Sequence, residues 1–232
     1  MSLMDNWRDS FDAAKKFLKE NELYSAQYEI NECLGKEPNQ FKVIRLAIRI
    51  YHSLNDHVKC LELSENLIQV FPKRWQGYDY AIRELLALKD YSRAAEIVEN
   101  GLTNLPCQFE LLSVAINIYR DLNDHLKSLE HSQSLLKCCP TNWEGYGFVA
   151  QDLVSLNRFT EAEAQIDKGL FNFPNHFQLL CIACVIYRKT CNFELSLECA
   201  EALVKSFPDK WQGYSFSAQA LVCFKHFIEA KN

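Results

Sequence analysis

Along the chain, apolar and small residues fall on two helical stripes that recur every 34 residues. Counted from Trp7 as position 1, one stripe takes positions 4, 7, 8 and 11, and the other takes 17, 20, 24, 27 and 28. Each spacing keeps its residues on one face of an α-helix. The pattern predicts two antiparallel helices per unit, A over positions 1–14 and B over positions 17–30. No unit can bury both stripes alone, so stacking of neighbouring units must supply the core.

The punctuation residues keep the same register. Pro38, Pro72, Pro106, Pro140, Pro174 and Pro208 lie 34 residues apart, and Trp7, Trp75, Trp143 and Trp211 lie 68 apart, with Phe41, Phe109 and Phe177 midway. The units are therefore 7–40, 41–74, 75–108, 109–142, 143–176 and 177–210, with a partial seventh at 211–232. Residues 1–6 read as an N-terminal leader, and the second Met at position 4 suggests a tag remnant before it. Position 7 is Ala13, Ala47, Ala81, Ala115, Val149, Ala183 and Ser217, and position 20 is Ala26, Cys60, Ala94, Ser128, Ala162, Ser196 and Ala230. Small residues there let two helices approach, while large neighbours interdigitate around the contact. Position 15 is Asn21, Asn55, Asn123 and Asn157 in four units. Asn tolerates the left-handed conformation that ends a helix. Proline at position 32 cannot continue helix B but fits the loop before the next A helix.

A 34-residue period with small residues at 7 or 8 and 20, an aromatic at 17 (Tyr91, Phe159, Phe193, Phe227) and Pro at 32 resembles the tetratricopeptide repeat over residues 7–232. His57 and His125 depart at position 17, as do Ile48, Ile82 and Ile116 at position 8. The resemblance implies an all-α fold, a right-handed α-solenoid of antiparallel helix pairs forming one array. It also implies a protein-binding scaffold rather than an enzyme. Units 3, 5 and 7 carry Trp-x-Gly-Tyr (Trp75–Tyr78, Trp143–Tyr146, Trp211–Tyr214), whereas even units carry Phe, then Ile or Leu at 4, then Tyr at 11. The working period is thus a 68-residue double repeat. The same motif resembles bacterial arrays attached to sugar- or sulfotransferases, so a regulatory or substrate-recruiting region of such an enzyme is the alternative reading. The partial seventh unit fits a fragment of a longer array, and its uncapped A helix would favour self-association.

Composition changes this picture little. The net charge is -5, against a generally basic nucleic-acid binder. No apolar run suits a bilayer and no secretory signal opens the chain, so a cytoplasmic protein without membrane insertion is expected. Most of the ten cysteines stand at helical positions where other units carry Ala, Ser or Leu, so free thiols are expected. Cys181-x-x-Cys184, followed by Cys191 and Cys199, is the best metal or redox candidate, but Cys184 stands on a core stripe and the closing ligand knuckle is missing. Asp56-His57 and Asp124-His125 recur 68 apart with no nucleophile nearby, which favours packing of the histidines in the aromatic slot. No Gly-rich phosphate loop and no Ser/His/Asp set appears. Neither catalytic residues nor a cofactor or metal is expected.

In the family that the repeats resemble, A helices line a concave groove, and positions 2, 5, 6, 9, 12 and 13 meet the ligand. Those positions select Lys15, Lys42, Arg45, Arg49 and Arg83, then Tyr80, Asn117, Phe148 and Gln151. Together they read as a face that is basic in the first half and apolar along its length. Acidic residues concentrate on the B helices, among them Glu62, Glu65, Glu96, Glu99, Glu161 and Glu198. An acidic or amphipathic peptide or helix of a partner protein suits such a face. The same residues also fit a solvated basic face, with the position-6 line packed on the neighbouring A helix. The Lys and Asn set by which co-chaperones of this family clamp a C-terminal carboxylate is absent: Arg45 and Arg49 are followed by Tyr80, then by Glu110 and Val114.

Overall fold

The computed structural model describes residues 6–231, with side chains described for 7–225. The leader expected over 1–6 lies outside the described residues except for Asn6, which begins the first helix. Among the described residues there are thirteen α-helices and no strand. The A helices are α1 (Asn6–Lys19), α3 (Phe41–Ser53), α5 (Trp75–Ala87), α7 (Phe109–Asp121), α9 (Trp143–Ser155) and α11 (Phe177–Lys189). The B helices are α2 (Leu23–Lys36), α4 (His57–Val70), α6 (Tyr91–Asn104), α8 (His125–Cys138), α10 (Phe159–Asn172) and α12 (Phe193–Ser206). The last is α13 (Trp211–Lys231). The chain forms two compact halves, called unit 1 (to Ile118) and unit 2 (from Tyr119), apart from the numbered 34-residue repeats.

The turns between A and B follow the predicted chemistry. Asn21, Asn55, Asn123 and Asn157 all adopt positive φ of 57 to 62°, and Lys89 (59°) and Cys191 (61°) take the same conformation without the local hydrogen bonding that suits Asn to it. One residue later, Asp56, Asp90 and Asp124 cap the B helices, accepting from the amides of Lys59, Arg93 and Lys127 at 3.0–3.1 Å. The pattern predicts a turn at the same place in the seventh unit, but α13 runs unbroken across Phe224-Lys225-His226. That segment has no Asn or Asp to end one helix or cap the next.

Glycine explains the doubled period. Position 3 of an A helix meets position 27 or 28 of the preceding B helix. At the odd-to-even junctions the glycine is on the B helix: a Cβ on Gly101 would lie 3.0 Å from Leu111 Cδ1, and one on Gly169 would lie 3.1 Å from Leu179 Cδ2. At the even-to-odd junctions the glycine is on the A helix: a Cβ on Gly77 would lie 3.1 Å from the Ile68 amide, on Gly145 2.9 Å from Leu136 Cα, and on Gly213 2.9 Å from the Val204 amide. Each of these five junctions therefore pairs one glycine with a large aliphatic residue, and the two exchange sides from one junction to the next. The tyrosine of Trp-x-Gly-Tyr uses the same space. Tyr78 has no exposed surface, its ring lies 3.0 Å from the Gly101 Cβ site, it donates to the Pro72 carbonyl at 3.0 Å and it accepts from Asn104 at 3.1 Å. Tyr146 repeats the arrangement with Gly169, the Pro140 carbonyl and Asn172. Even units use their position-11 tyrosine instead: Tyr51 donates to Asn31 at 2.7 Å and Tyr187 to Asp167.

Eight cysteines are free, but Cys107 and Cys138 are disulfide-bonded, which corrects the expectation of free thiols throughout. Neither is held in the apolar interior: Cys107 is exposed in the loop before α7, and Cys138 is the partly exposed last residue of α8.

Two neighbouring glycines separate backbone contact from side-chain contact. Gly145→Ala should destabilise unit 2 by about 2 kcal/mol, because its Cβ meets backbone that cannot move away. Gly147→Ala meets only the tip of Ile182 at 2.8 Å, which can rotate. With the helix propensity of Ala added, it should fall within about 0.5 kcal/mol of the parent or above it. Denaturant unfolding of both variants checks the difference. At the turns, Lys89→Asn should raise stability by about 0.5 kcal/mol and Asp90→Ala lower it by about 1 kcal/mol, read from thermal midpoints.

Candidate peptide-binding surfaces

Unit 1 presents a cleft of about 340 Å³ between α1 and α3, lined by Phe11, Lys15, Lys42, Arg45, Leu46 and Arg49. Phe11 and Leu46 are the apolar part, and four cations surround them. Lys15 Nζ sits 5.7 Å from the Phe11 ring centre, and the Arg45 guanidinium 5.5 Å from that of Phe41, so the cations rest on aromatic faces. Lys15 has an exposed, 4.0 Å contact to Asp12. Among the described residues no carboxylate pairs with Lys42, Arg45 or Arg49.

A second cleft of about 260 Å³ between α3 and α5 adjoins the first through Arg49. It is lined by Ile48, Arg49, His52, Ser53, Tyr80, Arg83 and Glu84. Arg83 bonds Asp79 at 3.0 Å along its own helix, so its charge is partly answered. Six of the sequence-selected residues, Lys15, Lys42, Arg45, Arg49, Tyr80 and Arg83, thus line two adjoining clefts. Asn117 is exposed on α7 and lines none of the described clefts.

Unit 2 is different in chemistry. A cleft of about 360 Å³ between α9, α11 and α13 is lined mainly by Val154, Ile182, Val185, Ile186 and Phe216, with Gln151 and Lys189 as polar members. Gln151 also accepts from Arg120 at 3.2 Å. Phe148 is covered by the same arginine, whose guanidinium sits 5.0 Å from its ring centre and donates to its carbonyl at 3.0 Å. Phe148 is therefore occupied within the fold.

The sequence reading missed two buried carboxylates. Glu84 is 3% exposed and bonds His52 Nδ1 at 2.9 Å and His57 Nδ1 at 2.7 Å. Asp152 is 1% exposed and accepts from Arg120 Nε at 2.6 Å and Ser132 Oγ at 2.5 Å. Both stand at position 10 of an odd unit, where even units bury Ile50, Ile118 and Ile186. Each takes a cationic or imidazole partner from position 12 of the preceding even unit, 32 residues earlier. An acid 68 residues from another acid, replacing a core isoleucine, was the available signal. His57 therefore packs as a ligand of Glu84 rather than as a substitute aromatic. His125, its counterpart, is half-buried with Nδ1 unbonded, because Arg120 and Ser132 already occupy the shorter Asp152.

Burial raises the Cys33 thiol to about 11 and the Cys60 thiol to about 12, where a thiolate nucleophile is scarce. Among the described residues no group of three or more His, Cys, Asp or Glu is placed to hold a metal ion. No helix among them is long and apolar enough to cross a membrane.

The buried acid in unit 2 yields a direct test. Arg120→Ala should destabilise by about 3 kcal/mol, because the buried Asp152 carboxylate loses its cationic partner. Adding Asp152→Val, an apolar residue as in the even units, should recover more than half of that loss in urea unfolding.

No family model and no curated protein sequence matches the chain. Solved structures do. A tetratricopeptide repeat protein from Parabacteroides merdae superposes with a TM-score of 0.67 at 12% identity, covering 94% of this chain and 87% of its own. YrrB, described as a TPR protein with an unusual peptide-binding site, gives 0.61 at 16% identity over 80% of this chain and 96% of its own. MamA gives 0.60 at 12% identity over 72% and 92%. The chain has the tetratricopeptide-repeat fold, an α-solenoid of antiparallel helix pairs.

Proposed function

We propose that this tetratricopeptide-repeat chain is a non-catalytic protein-interaction scaffold, and that the adjoining clefts of unit 1 seat an acidic, partly apolar segment of a partner protein. The carrying observation is the cluster of Lys42, Arg45 and Arg49, cations with no carboxylate partner among the described residues, set around Phe11 and Leu46. The whole chain has net charge -5, so a concentrated positive field at one cleft is a local feature that global composition would not produce. Carboxylates of a partner would meet the guanidinium groups, and one apolar side chain would fill the space beside Phe11 and Leu46. The peptide-binding site named for YrrB supports a peptide as the ligand class.

The test is fluorescence anisotropy with two labelled amphipathic peptides of equal hydrophobicity, one rich in Glu and one in Lys. The acidic peptide should bind and weaken as salt rises. Arg45→Glu with Arg49→Glu should lower its affinity at least about tenfold at unchanged helical content. Equal binding of both peptides, or binding that survives the reversal, would overturn the reading.

A second reading concerns self-association. Trp211 is 71% exposed and Tyr214 54%, whereas Tyr78, the counterpart of Tyr214, is wholly buried against Gly101 and Asn104. This apolar face of α13 suits a second copy of the chain. Light scattering should show mass rising with concentration, and Trp211→Ser with Tyr214→Ser should abolish the rise.

A further inference from the structure

Unit 2 brings together two thiols that lie on different helices. Cys184 stands on α11 at repeat position 8, and Cys199 on α12 at repeat position 23. The corresponding pairs elsewhere are Ile48/Leu63, Ile82/Ile97, Ile116/His131 and Ala150/Gln165, so only the sixth repeat carries sulfur at both places. Cys184 has no exposed surface, and Cys199 packs against the cluster that Cys184 forms with Leu180, Ala200 and Leu203. Ser196, one turn before Cys199 on α12, donates to the Cys184 carbonyl at 2.9 Å, and Cys199 keeps partial exposure.

We propose that Cys184 and Cys199 are a dithiol–disulfide couple, closed by a small-molecule disulfide such as oxidised glutathione and locking α11 to α12. The two sulfurs have separate roles. Cys199 is the attacking sulfur, because it keeps exposed surface while Cys184 has none.

The exchange balances. The Cys199 thiolate attacks one sulfur of glutathione disulfide, that S–S bond breaks, and one glutathione leaves as a thiolate. Cys184 then loses its proton to solvent and attacks Sγ of Cys199 in the mixed disulfide, expelling the second glutathione. Two protein thiols become one disulfide, and the oxidant takes both electrons as two reduced glutathiones. The other free cysteines nearby lack this arrangement. Cys181 is pushed up by burial, and Cys191 is exposed on the turn.

The experiment equilibrates the intact chain with oxidised glutathione, quenches with an alkylating reagent in denaturant and maps the peptides by mass spectrometry. The expected product is a peptide pair linked through Cys184 and Cys199, about 2 Da below the sum of its reduced peptides, with a rise in the thermal midpoint. Cys184→Ala takes the residue that Ala14 and Ala150 supply at the same position, so the fold should hold. That variant has no resolving sulfur and should accumulate a glutathione adduct on Cys199. Recovery of both cysteines alkylated in the oxidised parent would overturn the proposal. So would the absence of a Cys199 adduct in Cys184→Ala.

Discussion

The structure depends on how closely a B helix can approach the A helix that follows it. Five junctions meet that constraint with one glycine opposed to one large aliphatic residue: Gly77, Gly145 and Gly213 on A helices, Gly101 and Gly169 on B helices. Two large residues at such a contact would force the helices apart and open voids, while two glycines would leave one. Exchanging sides keeps the volume constant while the chain alternates between two kinds of unit. At the first junction positions 27 and 3 are Cys33 and Val43, both fully buried and both between Gly and Leu in size. The tyrosines follow from the glycines. Only where position 27 is Gly does room remain for Tyr78 or Tyr146 to reach the proline carbonyl of the preceding unit.

The buried acids belong to the same alternation. Glu84 and Asp152 stand on odd A helices and draw partners from the preceding even unit, so they act across the junction where glycine permits close approach. A buried ion pair adds little net stability over an apolar pair, because desolvation offsets attraction. It does penalise any register in which the acid loses its partner. Isoleucine at the same position in even units carries no such penalty. The odd-even order is thus enforced by charge as well as by volume. In the last junction Ala220 replaces the acid, and Arg188 donates to Gln219 instead.

Helix boundaries, turn positions and the small core residues were legible in the sequence because each depends on a residue's own chemistry or on spacing within one helix. Asn at position 15 specifies a left-handed turn wherever it stands, and Lys89 and Cys191 take the same backbone because the helices on either side leave no other path. The glycines were visible as a pattern, but that position 3 meets position 27 or 28 is a property of the junction. Glu84, Asp152 and the Cys184–Cys199 contact were hidden for the same reason, since each needs a partner from another helix. The departures at position 8 also weaken sequence-level resemblance without disturbing the fold: Ile48, Ile82 and Ile116 are all buried, and they contribute bulk where the repeat usually carries a small residue.

The candidate surface follows the same division. The cations of unit 1 were selected by position alone, and Lys15, Lys42, Arg45 and Arg49 do line one cleft. Position could not distinguish a side chain facing solvent from one spent inside the fold. Phe148 and Gln151 carry the right chemistry for a ligand, yet Arg120 reaches both on its way to Asp152. Arg49 shares position 9 with Gln151 but has no such neighbour: Glu84, the buried acid of the next repeat, bonds His52 and His57. At Glu84 the partners are two imidazoles, whereas at Asp152 the arginine also holds Phe148 and Gln151. The partner of each buried acid thereby sets how much of the neighbouring A-helix face is held within the fold.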